Sequence, residues 1–247
     1  MSSQTLNVIL FGETGTGKSS VINLMARRPI AKTSSGVDLC TTKSKDYQFN
    51  VGPRQIKIWD TIGLNKPQMA GNRLYDTITR GIALIREVSE AGGVDLLLLC
   101  ISGNRITATT RSIYRLFYEA LCNKKVPVAL VITHLERENP MEDWWKRNED
   151  IILNRYKIQS VGHACVTGLA DKTQKYNESR DTMLQLLSQQ HSNNHGRFSM
   201  PPESGFTRLR SWTGSPSVKE VARILKKRCG LDSESADRLA EQLATNH

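Results

Sequence analysis

Residues 12–19, GETGTGKS, constrain the fold of this 247-residue chain more than any other segment. They match the pattern GxxxxGK[ST] at every fixed position, between the apolar run LNVILF and a helical segment that begins KSSVINLMA. In such a loop the glycines let successive backbone N–H groups turn towards a polyphosphate, and the helix N-terminus adds partial positive charge. Lys18 would reach the β and γ phosphates, and the Ser19 hydroxyl would ligate Mg²⁺. The segment therefore predicts a strand–loop–helix unit that holds the phosphates of a nucleotide.

Chance produces this pattern in roughly one chain of this length per hundred, and the flanking strand and helix make a chance match rarer still. The whole loop and the first helical turn are therefore candidate nucleotide contacts. These candidates are Gly12, Glu13, Thr14, Gly15, Thr16, Gly17, Lys18, Ser19 and Ser20.

A second motif, IKIWDTIG, covers residues 56–63 and places Asp60 at the end of an apolar run. A carboxylate at a strand end can hold a magnesium-bound water, and the N–H of Gly63 can contact a γ-phosphate and respond to its loss. The pattern DxxG is weak by itself because many turns contain it. Downstream of the phosphate loop, at the end of a strand, it becomes a strong indication.

Alternating apolar runs and helical segments predict βαβ units and an α/β fold. Only Gly52 and Pro53 separate the second and third runs, which predicts an antiparallel hairpin. The fold class is a three-layer α/β/α domain with a mostly parallel six-stranded sheet and a short C-terminal helical appendage. The predicted strands lie near 6–11, 46–51, 54–59, 94–101, 127–133 and 161–166, and the main-domain helices near 18–27, 73–91, 109–123, 140–155 and 174–190.

The segments GETGTGKS and DTIG resemble the G1 and G3 motifs of the Ras-like P-loop GTPase superfamily. Within it, GETGTGKSSVINLM and the later THLE are most similar to the septin, Toc and AIG1/IMAP group, over about residues 5–190. The resemblance implies a G domain that binds GTP or GDP with Mg²⁺. It also implies a threonine before the second strand that binds Mg²⁺ and the γ-phosphate, for which Thr42 is favoured and Thr41 is the alternative.

The resemblance assigns catalytic roles to Lys18, Thr42 and Gly63 and metal ligation to Ser19, Thr42 and Asp60. The family commonly has a glutamine after DxxG that orients the attacking water. This chain has Leu64 there, and leucine cannot hydrogen-bond water. Slow intrinsic hydrolysis is therefore expected, unless another group acts on the water.

Three sources of such a group are open: Asn65, Arg73 or a residue of a second protomer. The resembling group includes GTPases that pair face to face across the nucleotide, so the resemblance implies a nucleotide-linked homodimer. Arg27 and Arg28 offer an in-chain alternative, although a basic pair at a helix end is more often a favourable partner of the helix dipole.

Base recognition is expected in THLE, where the family pattern is [NT]KxD. Glu136 could accept hydrogen bonds from guanine N1–H and the 2-amino group, a pairing that adenine cannot make. Thr133 could brace the loop, and His134 could lie against the base. In HACVTG, after the last strand, Cys165 and Val166 are candidates for the backbone contact to guanine O6, and buried strand positions are an equal alternative for both.

These features favour a guanine-nucleotide switch with slow Mg²⁺-dependent hydrolysis, in which the loops at 30–45 and 61–75 respond to the γ-phosphate and contact an effector protein or a second copy. A nucleotide-bound scaffold without turnover is the alternative that Leu64 supports. A P-loop kinase or ATPase is a third reading, and THLE counts against it.

The formal net charge of +10 suits an acidic partner, but the charge is spread along the chain. A solvated face is favoured over a dedicated nucleic-acid site, even at the densest cluster, Lys226 to Arg228. Five well-separated cysteines without a CxxC pair suit reduced thiols in a cytoplasmic protein. No signal sequence or membrane-length apolar run is expected from the sequence, and a peripheral membrane contact through basic residues stays open.

The predicted organisation is a nucleotide-binding domain at 1–190, a linker or loosely packed strap at 191–216 and a helical hairpin at 217–247. The middle segment is rich in Ser, Asn, Gly and Pro and lacks periodicity. Packing of the hairpin on the main domain is favoured over a partner-binding surface.

Overall fold

The structure is a computed structural model that describes residues 5–32, 45–51, 54–61, 72–192, 197–200, 218–229 and 232–245. Its strands are β1 (Leu6–Phe11), β2 (Lys45–Val51), β3 (Arg54–Asp60), β4 (Leu96–Ser102), β5 (Val128–Thr133) and β6 (His163–Cys165). Its helices are α1 (Lys18–Ala26), α2 (Asn72–Glu90), α3 (Ala108–Tyr114), α4 (Asp143–Asp150), α5 (Thr173–Ser192), α6 (Val218–Cys229) and α7 (Ser233–Thr245). Helices α3 and α4 continue as π-helical stretches, Arg115–Leu121 and Ile151–Arg155.

The six strands form one sheet in the order β2-β3-β1-β4-β5-β6. All neighbouring pairs are parallel except β2 and β3, which are antiparallel. The predicted α/β fold with one hairpin in a mostly parallel sheet is therefore confirmed. The central strands β1 and β5 are buried along their whole length because helices cover both faces of the sheet.

Two apolar clusters lie on opposite faces of the sheet. Alternate residues of each strand project to opposite faces, so β1 contributes Ile9 and Phe11 to one cluster and Val8 and Leu10 to the other. The first cluster includes buried residues of α2, α3 and α4, and the second includes those of α1 and α5. This is the three-layer arrangement that the sequence predicts.

The strand boundaries match the prediction to within two residues, and the larger differences are a shorter β6, His163–Cys165 where 161–166 was predicted, and a later start of β4. This strand begins at Leu96 rather than Val94 because Val94 forms an isolated antiparallel bridge with Phe198. Phe198 and Met200 are buried, and the Arg197 Nε donates to Asp95 Oδ1 at 2.8 Å. Residues 197–200, which the sequence assigned to a linker or loosely packed strap, are therefore held tightly against the domain.

Buried residues of the C-terminal helices belong to the same apolar cluster as buried residues of α2 and α3. Ala222 and Leu225 of α6 and Ala236 and Ala240 of α7 belong to it. The favoured packing of this hairpin on the main domain is thus observed for these residues. Among the described helices, none combines the length and the apolar character that a membrane span requires.

Candidate nucleotide-binding site

The carboxyl ends of the parallel strands meet at one edge of the sheet and bring the predicted motifs together. The loop at 12–17 follows β1, Asp60 ends β3, and Thr133 ends β5. Residues 166–169 follow β6 at the same edge. Ligands of open α/β sheets bind at this edge, outside the strand ends.

The phosphate loop has a positive φ at Gly12 and Gly17, a backbone that favours glycine. Gly12 has φ +148°, and a Cβ there would lie 2.4 Å from the Cys100 carbonyl oxygen. Gly17 has φ +83° and begins α1 without a side-chain hydrogen bond to the first turn. The loop therefore crosses close over β4 and leaves the N-terminus of α1 without a side-chain cap, which suits an anion.

Lys18 folds back over this loop. Its Nζ donates to the carbonyl oxygens of Gly12 and Glu13, both at 2.9 Å. Burial lowers the pKa of the Lys18 amine, while the nearby carboxylates of Asp60 and Glu13 oppose that shift. A phosphate placed in the loop would add a strong negative partner for this desolvated amine.

Two strand residues hold the far side of the loop. The Thr16 carbonyl oxygen accepts hydrogen bonds from Cys100 Sγ and Thr133 Oγ1, both at 2.8 Å. Burial raises the pKa of the Cys100 thiol to about 12, which keeps the donor proton in place. The contact of Thr133 is the brace that the sequence suggested, whereas Cys100 carried no sequence signal beyond its position in a buried strand.

The side chain of Glu13 faces α3. Its Oε1 accepts a hydrogen bond from Thr110 Oγ1 at 2.5 Å and another from Thr107 Oγ1. Thr107 is also the N-cap residue of α3, and it forms a capping box with Thr110. Only the backbone of Glu13 thus remains a candidate phosphate contact, and its carboxylate connects the loop to α3.

Asp60 presents a buried carboxylate at the end of β3. It is 2% exposed, and its Oδ1 has no hydrogen-bond partner among the described residues. Burial raises the pKa of this carboxyl to about 6, against the opposing charges of Lys18 and Lys45. A buried, unpartnered carboxylate oxygen needs a cation or an ordered water.

The segment THLE begins at the last residue of β5, and the chain turns at its second residue. His134 adopts φ +61°, and its Nδ1 lies 3.0 Å from Thr133 Oγ1. Leu135 is buried, and a Cβ on Gly103 would lie 2.4 Å from its Cδ2. Glu136 is half-buried, and its role in base recognition stays a prediction.

The loop after β6 approaches both Glu136 and α1. Thr167 Oγ1 donates to Glu136 Oε2 at 3.3 Å. A Cβ on Gly168 would lie 2.6 Å from the Cβ of Ser20, so only glycine fits against α1 here. Thr167 and Gly168 belong to the segment HACVTG, directly after the predicted candidates Cys165 and Val166.

For Val166 the structure supports the alternative of a buried strand position. Its N–H donates to the Ile132 carbonyl within the sheet at 2.8 Å, so it is not available to a base. The N–H of Thr167 is likewise taken, by Ser179 Oγ at 2.9 Å. The side chain of Cys165 lies in the cluster that packs against α4, away from the loop, and a backbone contact of this residue stays a prediction.

Arg27 ends α1, a helix of nine residues, far from the loop that precedes the helix. At 1.5 Å per residue the separation along the axis is roughly 13 Å. Arg27 lies close enough to α5 for its charge to act on the side chains of Tyr176 and Arg180. These positions favour a structural role over an in-chain arginine finger.

Several predicted residues lie outside the described part of the chain. They are Thr41, Thr42, Gly63, Leu64 and Asn65, together with the side chain of Arg73. Their predicted roles remain predictions.

A family model described as 50S ribosome-binding GTPase matches residues 7–134. The chain belongs to this GTPase family. The matched span contains the phosphate loop, Asp60 and Thr133, and it ends at His134. The predicted P-loop GTPase G domain is thereby confirmed, and guanine nucleotides are the ligands of this fold.

Two curated relatives are similar over the same region. GTPase Der from Campylobacter fetus subsp. fetus is 28% identical over 144 residues, which are 58% of this chain and 28% of that protein. The tRNA modification GTPase MnmE from Rhizobium meliloti is 28% identical over 149 residues, 60% of this chain and 29% of that protein. This GTPase thus spans less than a third of the length of either relative.

Solved structures show the same fold. Toc33 from Arabidopsis thaliana in complex with Mg²⁺ and GMPPNP has a TM-score of 0.60 at 16% identity, covering 80% of this chain and 89% of that one. Toc33 in complex with GDP and Mg²⁺ has a TM-score of 0.59 at 15% identity, covering 79% and 87%. At these identities the likeness shows that the chain shares the G-domain fold of Toc33.

The donor set of the GTPase site fits Mg²⁺. Mg²⁺ prefers oxygen ligands and is commonly held by one or two protein groups plus phosphates and water. Asp60 supplies an unpartnered buried carboxylate oxygen, and Ser19 lies in the first turn of α1. These two residues would hold the ion on the protein side.

Proposed function

We propose that this GTPase is a guanine-nucleotide switch that hydrolyses GTP slowly in the presence of Mg²⁺. Two buried side chains at the phosphate loop carry the proposal. They are Lys18, whose amine is desolvated by burial, and Asp60, whose Oδ1 has no hydrogen-bond partner among the described residues. Lys18 would neutralise charge on the β and γ phosphates, and the backbone N–H groups of the loop would orient them. Asp60 and Ser19 would hold Mg²⁺, which would supply positive charge next to the phosphates during hydrolysis.

Base selection is proposed for Glu136. Its carboxylate would accept from guanine N1–H and the 2-amino group, with Thr167 holding the other side of the carboxylate. His134 would lie against the base, where its left-handed backbone turns the chain out of β5. Adenine offers no matching pair of donors, so the buried acceptor would be left unpaired.

Leu64 is the sequence observation that supports slow turnover, since its side chain cannot orient water. Pairing of two copies across the nucleotide could supply the missing group. Dimerization is important for the GTPase activity of the chloroplast translocon components atToc33 and psToc159, which supports this part of the proposal by analogy.

The base assignment is tested by titrating fluorescently labelled GTP and ATP against the purified chain with Mg²⁺. Wild-type protein should prefer GTP, and Glu136→Ala should reduce that preference by about tenfold or more, because a buried pair of hydrogen bonds is lost. Glu149→Ala, on an exposed position of α4, is the matched control and should keep the wild-type ratio. An unchanged ratio in Glu136→Ala would move base recognition to another residue.

Turnover is tested by following phosphate release at low and high protein concentration. A rate per chain that rises with concentration supports catalysis controlled by pairing. Leu64→Gln should leave GTP affinity nearly unchanged and raise the rate at low concentration. A rate of zero in both proteins at every concentration would favour the nucleotide-bound scaffold, and a lower rate in the variant would give Leu64 a positive role.

A further inference from the structure

Three metal-binding side chains meet on the face of the sheet that α4 covers, outside the nucleotide site. The donor atoms of Glu142, His163 and Cys165 all lie within 4.8 Å of one another. His163 and Cys165 are alternate residues of β6 and therefore project to the same face. Glu142 is the residue that begins α4, and it carries the third donor towards them.

Packing holds the two strand residues in position. The His163 ring stacks on Trp145 with a centroid distance of 3.9 Å and an interplanar angle of 10°. Its Nε2 lies 2.5 Å from Glu142 Oε1. Cys165 is 3% exposed, and the backbone N–H of Trp145 donates to its sulfur. The imidazole and the sulfur are thus fixed before any ion arrives.

We infer that Glu142, His163 and Cys165 form a binding site for a thiophilic divalent cation of the Zn²⁺ class. Sulfur, imidazole nitrogen and carboxylate oxygen together match the ligands of Zn²⁺, whereas Mg²⁺ and Ca²⁺ select oxygen alone. Tetrahedral coordination at ordinary Zn–ligand lengths places donors roughly 3.3–3.8 Å apart. The three donors already lie within 4.8 Å of one another, and the Nε2–Oε1 pair, now 2.5 Å apart, has to open by roughly 0.8 Å to admit the ion.

The Glu142 side chain can make that adjustment because it is 44% exposed. Its exposed side also leaves the fourth coordination position open to water. On binding, the metal–sulfur bond replaces the S–H bond of Cys165, whose proton passes to solvent, and the imidazole binds through Nε2 with its proton on Nδ1. No oxidant or further reactant is needed.

The test uses the full chain, freed of metal by a chelator and titrated with Co²⁺, a spectroscopic substitute for Zn²⁺. One equivalent should produce a thiolate-to-cobalt charge-transfer band together with the intense visible bands of tetrahedral Co²⁺. Zn²⁺ should then remove both. Co²⁺ at the oxygen ligands of the nucleotide site gives no thiolate band, so the two sites are distinguished even if GTP binding fails.

Cys165→Ser should abolish the charge-transfer band, while Cys122→Ala, at a buried free cysteine elsewhere in the fold, should keep it. His163→Gln and Glu142→Gln should each weaken Co²⁺ binding by about tenfold or more, since loss of outer-sphere partners alone costs ~10–100-fold. Glu142→Gln serves as the variant that keeps the fold, because its side chain is partly exposed. Absence of the band in wild type, its persistence in Cys165→Ser, or full affinity in both Gln variants would overturn the inference.

Discussion

At the scale of single residues, the site depends on two buried charges of opposite sign. Burial lowers the pKa of Lys18 and raises that of Asp60, and each charge partly offsets the shift of the other. Such a pair costs free energy in the nucleotide-free fold, because neither charge is fully solvated. A phosphate beside the lysine and a cation beside the carboxylate would relieve that cost, which couples the two ligands.

The raised pKa of Asp60, about 6 against 3.8 for the free side chain, gives this coupling a pH dependence. The folded protein holds the proton more tightly than the unfolded chain, so the contribution of Asp60 to the free energy of unfolding falls as pH rises through about 4 to 6. A shift of this size corresponds to roughly 3 kcal/mol. Mg²⁺ must bind the ionised form and compete with the proton below pH 6.

We therefore expect Mg²⁺ to strengthen GDP binding fully at pH 7.5 and clearly less at pH 5.5. The measurement is GDP affinity with and without Mg²⁺ at both pH values, corrected for the affinity of Mg²⁺ for free GDP. In Asp60→Asn the effect of Mg²⁺ on GDP affinity should be small at both pH values. If the corrected effect in wild type is the same at pH 5.5 and 7.5, Asp60 does not hold the ion.

At the scale of elements, α5 supports the segment after β5, which we propose as the base-recognition loop. Lys175 Nζ donates to the carbonyl oxygens of Glu136 at 3.0 Å and Glu138 at 2.5 Å. One turn later, Ser179 Oγ accepts from the N–H of Thr167. A single helix thus fixes both the segment after β5 and the segment after β6, between which the base would lie.

Lys175→Met should therefore weaken GTP binding by about 5–20-fold, since hydrogen bonds from a charged donor contribute about 1.5–3 kcal/mol and water replaces part of that here. The GTP:ATP affinity ratio should fall as well, because the position of Glu136 relaxes. Lys175→Arg should recover part of the ratio.

The matched control is Lys172→Met, just before α5, where the side chain is 53% exposed. It should leave both affinities unchanged. If Lys175→Met lowers GTP and ATP affinity equally, the lysine stabilises the fold without positioning the base-recognition loop.

At the scale of the whole molecule, the chain beyond α5 helps to complete the core. Phe198 and Met200 are buried next to the amino end of β4, where Phe198 pairs with Val94. Helices α6 and α7 share an apolar cluster with α2 and α3. The boundary proposed at residue 190 therefore marks a change in composition, and the apolar core continues past it. The C-terminal helices α6 and α7 pack in the same apolar cluster as α3. Helix α3 in turn contacts the phosphate loop, through the hydrogen bond from Thr110 to Glu13.

Leu225→Ala tests whether this packing is part of one cooperative unit. The side chain is 1% exposed, so its truncation should lower the free energy of unfolding by about 2–5 kcal/mol. The temperature at which bound labelled GDP is released should fall by roughly 5–15 °C. Lys219→Ala, exposed on the same helix, should have little effect. Unchanged GDP release in Leu225→Ala would make the hairpin an independent appendage.

The sequence by itself determined the sheet, its hairpin and the phosphate loop. These features follow from local signals: apolar periodicity, two turn residues between β2 and β3, and glycines whose spacing suits a polyphosphate. It also placed Asp60 at the end of one strand and Glu136 just after another, because parallel strands present their carboxyl ends at one edge.

Only the tertiary structure decided which groups meet across that edge. Cys100 holds the loop, Glu13 turns to α3, the Val166 N–H pairs within the sheet, and residues 197–200 join the core. Each outcome depends on contacts between segments far apart in the chain. Such contacts are set by packing and by the need to pair every buried polar group, which no local pattern of residues specifies.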